Sequence, residues 1–279
     1  MVRLRRVFAV GVAALALLGL SHHFLLPGDT TAGPLPRATR RGALPRLTRK
    51  QRDAFSHHLL VDDHYKLVLC AVPKVGSTEF ARLILRMGNS THWRRDPQRS
   101  GLARADRDRH VVSKLSLQRA QRFIDDRRYT WAVFFRDPAE RLVSAYRDRV
   151  RPRLNVSFSD FVATLKAIRG TDPHWRPQRY LCNNDVLLKR YDFVGDFARI
   201  QPDARRLLEA LGAWDHVGRR GWGAHRSRQP VFAGAAARAK ASREASALYY
   251  TPELLARVQR AYAMDYAMLR AVRRGEIGA

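Results

Sequence analysis

Two cationic residues of this chain have the surroundings of an anion-binding site. Lys74 follows a short apolar run and is followed closely by Gly76, Ser77 and Thr78, and Arg136 ends a second apolar run. A helix N-terminus with free N–H groups beside a cationic side chain favours a bound anion, typically a phosphate. These residue types and their spacing therefore predict that the chain binds a phosphorylated ligand.

Two strand–loop–helix units must position these residues. Residues 67–72 and residues 131–135 are apolar runs of the kind that form buried parallel strands. After the first run, helical spacing is shown by Phe80, Leu83, Ile84 and Met87. After the second run, Pro138 occupies the favoured first turn of a helix. Because ligands bind beyond the carboxyl ends of strands in open α/β sheets, we expect Lys74 and Arg136 to face one ligand.

The predicted fold is therefore α/β, with a P-loop-like parallel sheet flanked by helices. The first loop nevertheless differs from the nucleoside triphosphate loop G-x-x-x-x-G-K-[ST], in which the lysine follows the glycines. Here Lys74 precedes the single Gly76. On this loop alone, an ordinary turn between strand and helix with a solvated lysine is an open alternative.

Patterns further along the chain predict more elements. Ser157 and Asp160 form a start like a capping box for a helix that ends near Ile168. The other expected elements are a strand at residues 191–194, helices at 203–211 and 252–272, and a loop at 218–239.

Several stretches, in this order along the chain, resemble one family. They are PKVGST at residues 73–78, RDPAERLVSAYRDR at 136–149, His174-Trp175 with Leu181-Cys182, YDFVGDF at 191–197 and YYTPELLARVQRAYAMDYAML at 249–269. Together they resemble the Golgi carbohydrate sulfotransferases, in particular the branch with the chondroitin and dermatan 4-O-sulfotransferases and the HNK-1 sulfotransferase. The resemblance implies the sulfotransferase fold.

The resemblance also implies a sulfuryl donor, 3′-phosphoadenosine 5′-phosphosulfate (PAPS), and no metal. The 5′-phosphosulfate would lie against Pro73, Lys74, Val75, Gly76, Ser77, Thr78 and Glu79, with Lys74 on the leaving phosphate. The second unit would supply Arg136, Asp137, Pro138, Arg141 and Ser144, of which Arg136 and Ser144 would contact the 3′-phosphate. The family commonly has cysteine in place of Ser77 and asparagine in place of Glu79. A carboxylate is unfavourable beside a phosphate unless its side chain turns away.

Sulfuryl transfer to a sugar hydroxyl needs a base that removes the hydroxyl proton, and histidine titrates in the right range. We expect His110, between the two units, as the first candidate, because the family has a histidine at about this place. His174, in the His-Trp match, is the second candidate. Glu140 and His225 are further alternatives.

The charge balance points to anionic partners. The chain has 279 residues, with 52 Lys and Arg against 25 Asp and Glu, which gives a formal net charge of +27. The basic residues are spread along the chain without a nucleic-acid-binding signature, so we expect no nucleic acid. A basic surface would suit the anionic donor and the glycan acceptor that the resemblance implies. A non-catalytic protein that binds heparin-type polyanions or nucleic acid is the alternative. A nucleotide-dependent kinase is disfavoured because the chain lacks G-K-[ST] and an acidic strand end that could bind a metal.

The N-terminal segment has the pattern of a membrane anchor. Residues 1–26 combine arginines with an apolar run, and we predict a cytoplasmic tail and signal anchor there. We predict a stem over residues 27–53 and a catalytic domain over residues 54–279. A cleaved signal peptide is the alternative. The resemblance implies a single-pass type II protein of the Golgi membrane with a lumenal catalytic domain, in which the sequons at Asn89 and Asn155 would be usable.

The two cysteines, Cys70 and Cys182, leave their redox state open. A secreted chain could pair them, but Cys70 lies in a predicted buried strand, where a free cysteine is common. The family often has another cysteine soon after the one that matches Cys182, and its absence here argues against a family disulfide. Two cysteines do not support a metal site built from cysteines.

Overall fold

The computed structural model describes residues 57–223 and 227–277, in which helices flank a four-stranded sheet. The anchor expected at residues 1–26 and the stem expected at 27–53 lie outside the described residues. Within the part that is described, no helix is long and apolar enough to cross a bilayer.

The sheet has the order β1-β2-β3-β4 and is parallel except at one edge. Strands β2 (Leu67–Cys70), β3 (Thr130–Phe135) and β4 (Phe193–Asp196) are parallel. Strand β1 (Leu59–Asp62) pairs antiparallel with β2, which the sequence analysis did not predict. Residues 63–66 join these two strands, and a connection this short can only join antiparallel neighbours. The parallel sheet is therefore confirmed for three strands and wrong for the edge strand.

Ten α-helices lie around this sheet in the described part of the chain. They are α1 (Ser77–Met87), α2 (Gly101–Asp108), α3 (Leu117–Asp125), α4 (Pro138–Ala145), α5 (Phe158–Ile168), α6 (Asn184–Leu187), α7 (Ile200–Ala210), α8 (Ala233–Tyr249), α9 (Pro252–Ala261) and α10 (Ala263–Arg273). Short 3₁₀ turns lie at Val112–Lys114, Gln178–Asn183, Leu188–Arg190 and Phe197–Arg199, and π-helical turns at Tyr146–Val150 and Trp214–Gly218. The predicted start of α5 is confirmed, because the Ser157 hydroxyl accepts a hydrogen bond from the Asp160 N–H group.

Aromatic side chains fix the strands that lead to the two loops. The rings of Phe80 on α1 and Phe193 on β4 pack against Phe134 of β3, with centroids 4.8 Å and 5.6 Å away. Gly195 of β4 leaves room for the Phe134 ring, because a Cβ atom there would lie only 2.4 Å from it. All of these side chains are buried, so the carboxyl ends of the central strands stand on a closely packed core.

Two of the expected elements are wrong. The helix expected at 252–272 is broken at Tyr262, whose backbone (φ −117°, ψ 26°) leaves the helical region while its hydroxyl donates to the Trp175 carbonyl. The loop expected at 218–239 already contains the start of α8 at Ala233. Alanine has the highest intrinsic helix propensity, and the alanine-rich half of this stretch follows it.

The cysteines are paired, which decides the redox state that the sequence left open. Cys70 at the end of β2 forms a disulfide with Cys182, with Cα atoms 6.2 Å apart. The fold brings the 3₁₀ segment Gln178–Asn183 beside β2 although the two cysteines are separated by 112 residues. The disulfide therefore links the first strand–loop–helix unit to a segment that, as described below, supports the second.

Candidate active site

The loop after β2 is shaped by two residues with positive φ. Lys74 has φ of 66° and Gly76 has φ of 74°. A lysine in this region is uncommon, and such strained residues cluster at functional sites. A Cβ atom on Gly76 would lie 3.2 Å from Ile200 Cδ1, so glycine suits both the backbone and the space. Among the described residues, no side chain caps the N-terminus of α1, which leaves its first N–H groups available to a ligand.

The Lys74 ammonium is held by a carboxylate from the π turn after α4. Its Nζ atom lies 2.9 Å from Asp148 Oδ2, and its side chain is 17% exposed. Burial lowers the pKa of Lys74, and the Asp148 carboxylate partly offsets that effect. The pairing also lowers the pKa of Asp148, against the opposing effect of its own burial.

Arg136 ends β3 and carries an unsatisfied donor. Its side chain is buried, with Nη1 donating to the Lys74 carbonyl at 2.9 Å and Cζ 4.8 Å from the centre of the Phe197 ring. Its Nη2 atom makes no hydrogen bond with any described residue. Burial lowers the pKa of Arg136 to about 10, so the guanidinium is charged at neutral pH. A buried cation with a free donor fits an anionic ligand.

Three residues expected at the ligand act instead on the protein backbone. The Asp137 carboxylate accepts hydrogen bonds from the first N–H groups of α4, at Ala139 and Glu140, and Pro138 fills the first helical position. The Arg141 guanidinium is buried and donates to three carbonyl groups. These carbonyls belong to Pro73, Pro173 and Arg176.

A cavity of about 490 Å³ connects the two units. Of the residues predicted for the donor, it is lined by Lys74, Gly76, Ser77, Thr78, Glu79, Arg136 and Ser144. Pro73 lines a neighbouring cavity instead, and Val75 is buried in the core. The geometry therefore brings the lysine, the uncapped helix end and the buried arginine to one space.

The buried Glu79 carboxylate is neutralised within the protein. Its Oε1 atom lies 3.2 Å from Arg82 Nη1 and 2.7 Å from Arg238 Nη2 on α8. Arg243, also on α8, pairs in the same way with Glu140, at 3.2 Å. Helix α8 thus supplies a cation beside each of the two loops, and one of these cations neutralises the Glu79 carboxylate beside the expected donor site.

His174 lies where the main cavity meets a second cavity of about 290 Å³. The two cavities share Ser77, Gln98, Arg149 and His174. The Arg149 guanidinium donates to His174 Nε2 at 2.8 Å, so the ring proton is on Nδ1 and donates to Asp172 Oδ1 at 2.6 Å. Burial lowers the pKa of His174, and the Asp172 carboxylate opposes that effect. The ring is therefore neutral near pH 7, as a base must be.

The structure does not bring His110 to this cavity. Its Nδ1 atom lies 2.9 Å from the Val61 carbonyl, and its ring packs on Gly88. The reason is the antiparallel edge strand β1, because Val111 bridges to Leu60 and draws the preceding residue to that edge. Glu140 is engaged with arginines and is not among the lining residues, and His225 lies outside the described residues.

The comparison with known proteins identifies the fold family. The sequence profile of the sulfotransferase family matches residues 57–270. This chain belongs to the sulfotransferase family. The resemblance noted from the motifs is thereby confirmed.

Curated relatives of this chain are carbohydrate sulfotransferases. Carbohydrate sulfotransferase 14 of Mus musculus is 28% identical over 198 residues, covering 60% of this chain and 50% of the relative. Carbohydrate sulfotransferase 9 of Homo sapiens is 26% identical over 205 residues, covering 59% and 45%. Carbohydrate sulfotransferase 8 of Mus musculus is 29% identical over 194 residues, covering 56% and 43%. The chain spans about half the length of these relatives, and no solved structure gives a significant match.

The sequence patterns did not indicate several residues of the main cavity. They are Gln98, Arg147, Asp148, Arg149 and Arg238. The motif RDPAERLVSAYRDR contains three of them, and its alternating charges after the helix could have indicated a second charged layer. Gln98 and Arg238 lie in segments without a motif, and only the tertiary fold brings them to the loops.

Proposed function

We propose that this sulfotransferase moves a sulfuryl group from PAPS to a hydroxyl group of a glycan by in-line displacement. The observation that carries this proposal is the Arg136 guanidinium, buried with an unsatisfied Nη2 donor, in the same cavity as Lys74 and the uncapped end of α1. Two separate cationic positions suit a ligand with two separate phosphates. The names of the relatives support a carbohydrate acceptor.

The residues of the chain divide the work between them. The donor supplies the sulfuryl group, whose bond to the phosphate oxygen breaks as a bond to the acceptor oxygen forms. Lys74 and the first N–H groups of α1 stabilise the negative charge that grows on the leaving phosphate. Arg136, with Ser144 on the next helix, holds the second phosphate. Pro73, Asp137, Pro138 and Arg141 position these groups without contacting the ligand.

His174 is the base that we propose for the acceptor hydroxyl. It lies at the junction of the two cavities, so a ligand in each would meet beside its ring. Nε2 takes the hydroxyl proton, and the Nδ1–H group donates to Asp172, which stabilises the imidazolium that forms. The smaller cavity would then receive the acceptor sugar.

We also propose the membrane setting implied by the resemblance. In it, residues 1–26 anchor the chain in the Golgi membrane as a single-pass type II protein, and the catalytic domain is lumenal. The disulfide between Cys70 and Cys182 supports an oxidising compartment, because disulfides are rare in the cytosol. Digestion of the catalytic domain, monitored through a C-terminal tag, when protease is added to intact Golgi vesicles would contradict this topology.

The test of function is transfer of labelled sulfate from PAPS to a panel of unsulfated glycans by the full-length chain. We expect label on one glycan class, and a loss of about 10²- to 10³-fold in turnover for Lys74→Ala, as for removal of one donor to a developing charge. Lys166→Ala, an exposed lysine on α5, is the matched control and should keep wild-type turnover. Wild-type turnover in Lys74→Ala would contradict the site. Binding of polyanions without any transfer would favour the basic polyanion-binding protein instead, a reading that the net charge of +27 supports.

A further inference from the structure

Two consecutive residues of one π-helical turn engage both groups to which we assign the chemistry. Asp148 holds the Lys74 ammonium at 2.9 Å, and Arg149 donates to the Nε2 atom of His174 at 2.8 Å. Both residues lie in the turn Tyr146–Val150, which continues α4. π-helical turns within helices are rare and are frequently found at functional sites. In this arrangement neither the lysine nor the base is free to act.

From this geometry we infer that Arg149 is a positioning residue that caps His174 and releases it when Lys74 exchanges Asp148 for an anion in the cavity. The inference rests on the proposed function, since the anion is the donor's phosphate and His174 is the base. Arg149 itself does not take part in the chemical step. It determines when the Nε2 lone pair is available.

The exchange leaves no charge unpaired. Arg149 Nε already lies 3.7 Å from Asp148 Oδ2 and has no hydrogen-bond partner among the described residues. When Lys74 turns to the anion, Asp148 loses its partner and can accept Arg149 fully. Arg149 then leaves His174, and the Arg149 side chain, 36% exposed, has room for this small movement. The carboxylate of Asp148 is thus neutralised before and after the exchange.

The consequence is an order of events. Before the anion is present, the Arg149 guanidinium occupies the position from which a sugar hydroxyl would reach Nε2. After the exchange, that position is open on the side that faces the smaller cavity. The acceptor can therefore lose its proton only when the donor is in place, which prevents deprotonation without transfer.

The ionisation of His174 reports this exchange without any turnover. The charged and titratable groups that face its ring are Asp172 on its own loop, Asp148 and Arg149 on the π turn, Lys74 on the first loop and His58 before β1. Arg149 and Lys74 both lower the pKa of His174. Departure of the guanidinium from Nε2 should therefore raise that pKa.

The experiment measures the pKa of His174 by NMR in the full chain with labelled histidine, assigned with His174→Gln, with and without adenosine 3′,5′-bisphosphate. In the wild type, the bound nucleotide should raise the pKa of His174 by about one unit or more. In Arg149→Met, that pKa should already be raised without nucleotide, and the nucleotide should add less than half of the wild-type change. In Asp148→Asn, Arg149 has no anionic partner to move to, so the change should also be smaller than in the wild type.

The control is Asp215→Asn, which removes the corresponding exposed aspartate of the other π turn, Trp214–Gly218. It should reproduce the wild-type change. An equal nucleotide-induced rise in the wild type and in Arg149→Met would overturn the inference, because the charge of the nucleotide alone would then explain the rise. So would an unchanged pKa in wild-type protein that binds the nucleotide. If the nucleotide does not bind at all, the proposed function fails and the inference fails with it.

Discussion

The two strand–loop–helix units have the same order of elements but present different groups to the cavity. In the first unit the N-terminus of α1 has no side-chain cap, and Lys74 lies above it in a left-handed conformation. In the second unit the Asp137 carboxylate occupies the first N–H groups of α4, and the side chains of Arg136 and Ser144 line the cavity. The first unit therefore offers backbone donors to a ligand, whereas the second offers a side chain and uses its backbone donors internally.

The backbone at the cationic residue is also held differently in the two units. Arg136 has its backbone N–H group and carbonyl both bonded to the Gln178 side chain, at 3.0 Å and 2.8 Å. The Lys74 backbone carbonyl accepts from Arg136 Nη1, and its ammonium pairs with the half-exposed Asp148 carboxylate. In the proposed function, a phosphate held by the Arg136 guanidinium anchors one end of the donor, while Lys74 follows the charge that moves during the reaction. We therefore propose that anchoring and catalysis belong to different units.

Arg141 joins the units, and its removal should have the largest effect on stability. Its guanidinium reaches from α4 to the Pro73 carbonyl of the first loop and to two further carbonyls. Arg141→Met leaves these buried acceptors unsatisfied, and we expect a loss of about 3–5 kcal/mol in the free energy of unfolding, measured with urea. Arg260→Met, on the exposed face of α9, should change it by less than about 0.5 kcal/mol. A loss in Arg141→Met as small as this would mean that the units are held together by other contacts.

Acid should lower the stability of the folded chain, because His58, which lies beside β2, must take up a proton. Burial lowers the pKa of His58 from 6.5 to about 4, so between these values the unfolded chain binds more protons than the folded one. The contribution of His58 to the free energy of unfolding is therefore fully present above pH 6.5 and is lost as the pH falls toward 4. We expect about 2 kcal/mol less free energy of unfolding at about pH 5 than at about pH 7, through this residue. His58→Gln should remove this part of the pH dependence, while an unchanged slope would place its origin elsewhere.

Loss of a helix cap should have the smallest of these effects on stability, and it distinguishes the two units directly. Asp137→Ala removes the acceptor for two N–H groups of α4 and should cost about 1 kcal/mol of stability. Ser77→Ala, at the start of α1, removes no cap and should cost less than about 0.5 kcal/mol, yet lower the affinity for adenosine 3′,5′-bisphosphate. Thermal and urea unfolding, together with nucleotide titration, would measure both. Equal losses of stability in the two variants would remove the distinction between an open and a capped helix end.

The sequence was sufficient for elements that are determined locally. The apolar runs, Gly76 and Pro138 indicate where β2, β3, α1 and α4 begin or end, because turn chemistry and periodicity act over a few residues. The edge strand β1 was missed, since its four residues, LLVD, form a strand only by pairing with β2. The break at Tyr262 was missed for a similar reason, as it depends on a hydrogen bond to the distant Trp175.

The candidate site was accessible from the sequence only in outline. The motifs placed Lys74 and Arg136 at neighbouring strand ends, and the structure brings them to one cavity. Spacing could not show that the Arg141 side chain turns inward to carbonyls, because neighbouring positions on a helix differ in direction by about 100°. Nor could it show that His174 rather than His110 faces the cavity, which follows from how the loops pack.

The assignment of one phosphate to each unit is tested most directly by a thermodynamic cycle in which ligand phosphates and protein cations are removed singly and together. The affinities of the wild type, Lys74→Ala and Arg136→Gln are measured for adenosine 3′,5′-bisphosphate, for 5′-AMP and for 3′-AMP. Loss of the 3′-phosphate should weaken binding to the wild type about 10- to 100-fold but hardly weaken binding to Arg136→Gln. Loss of the 5′-phosphate should in turn matter little to Lys74→Ala. Losses that simply add, with each variant discriminating the ligands as the wild type does, would contradict the assignment of one phosphate to each unit.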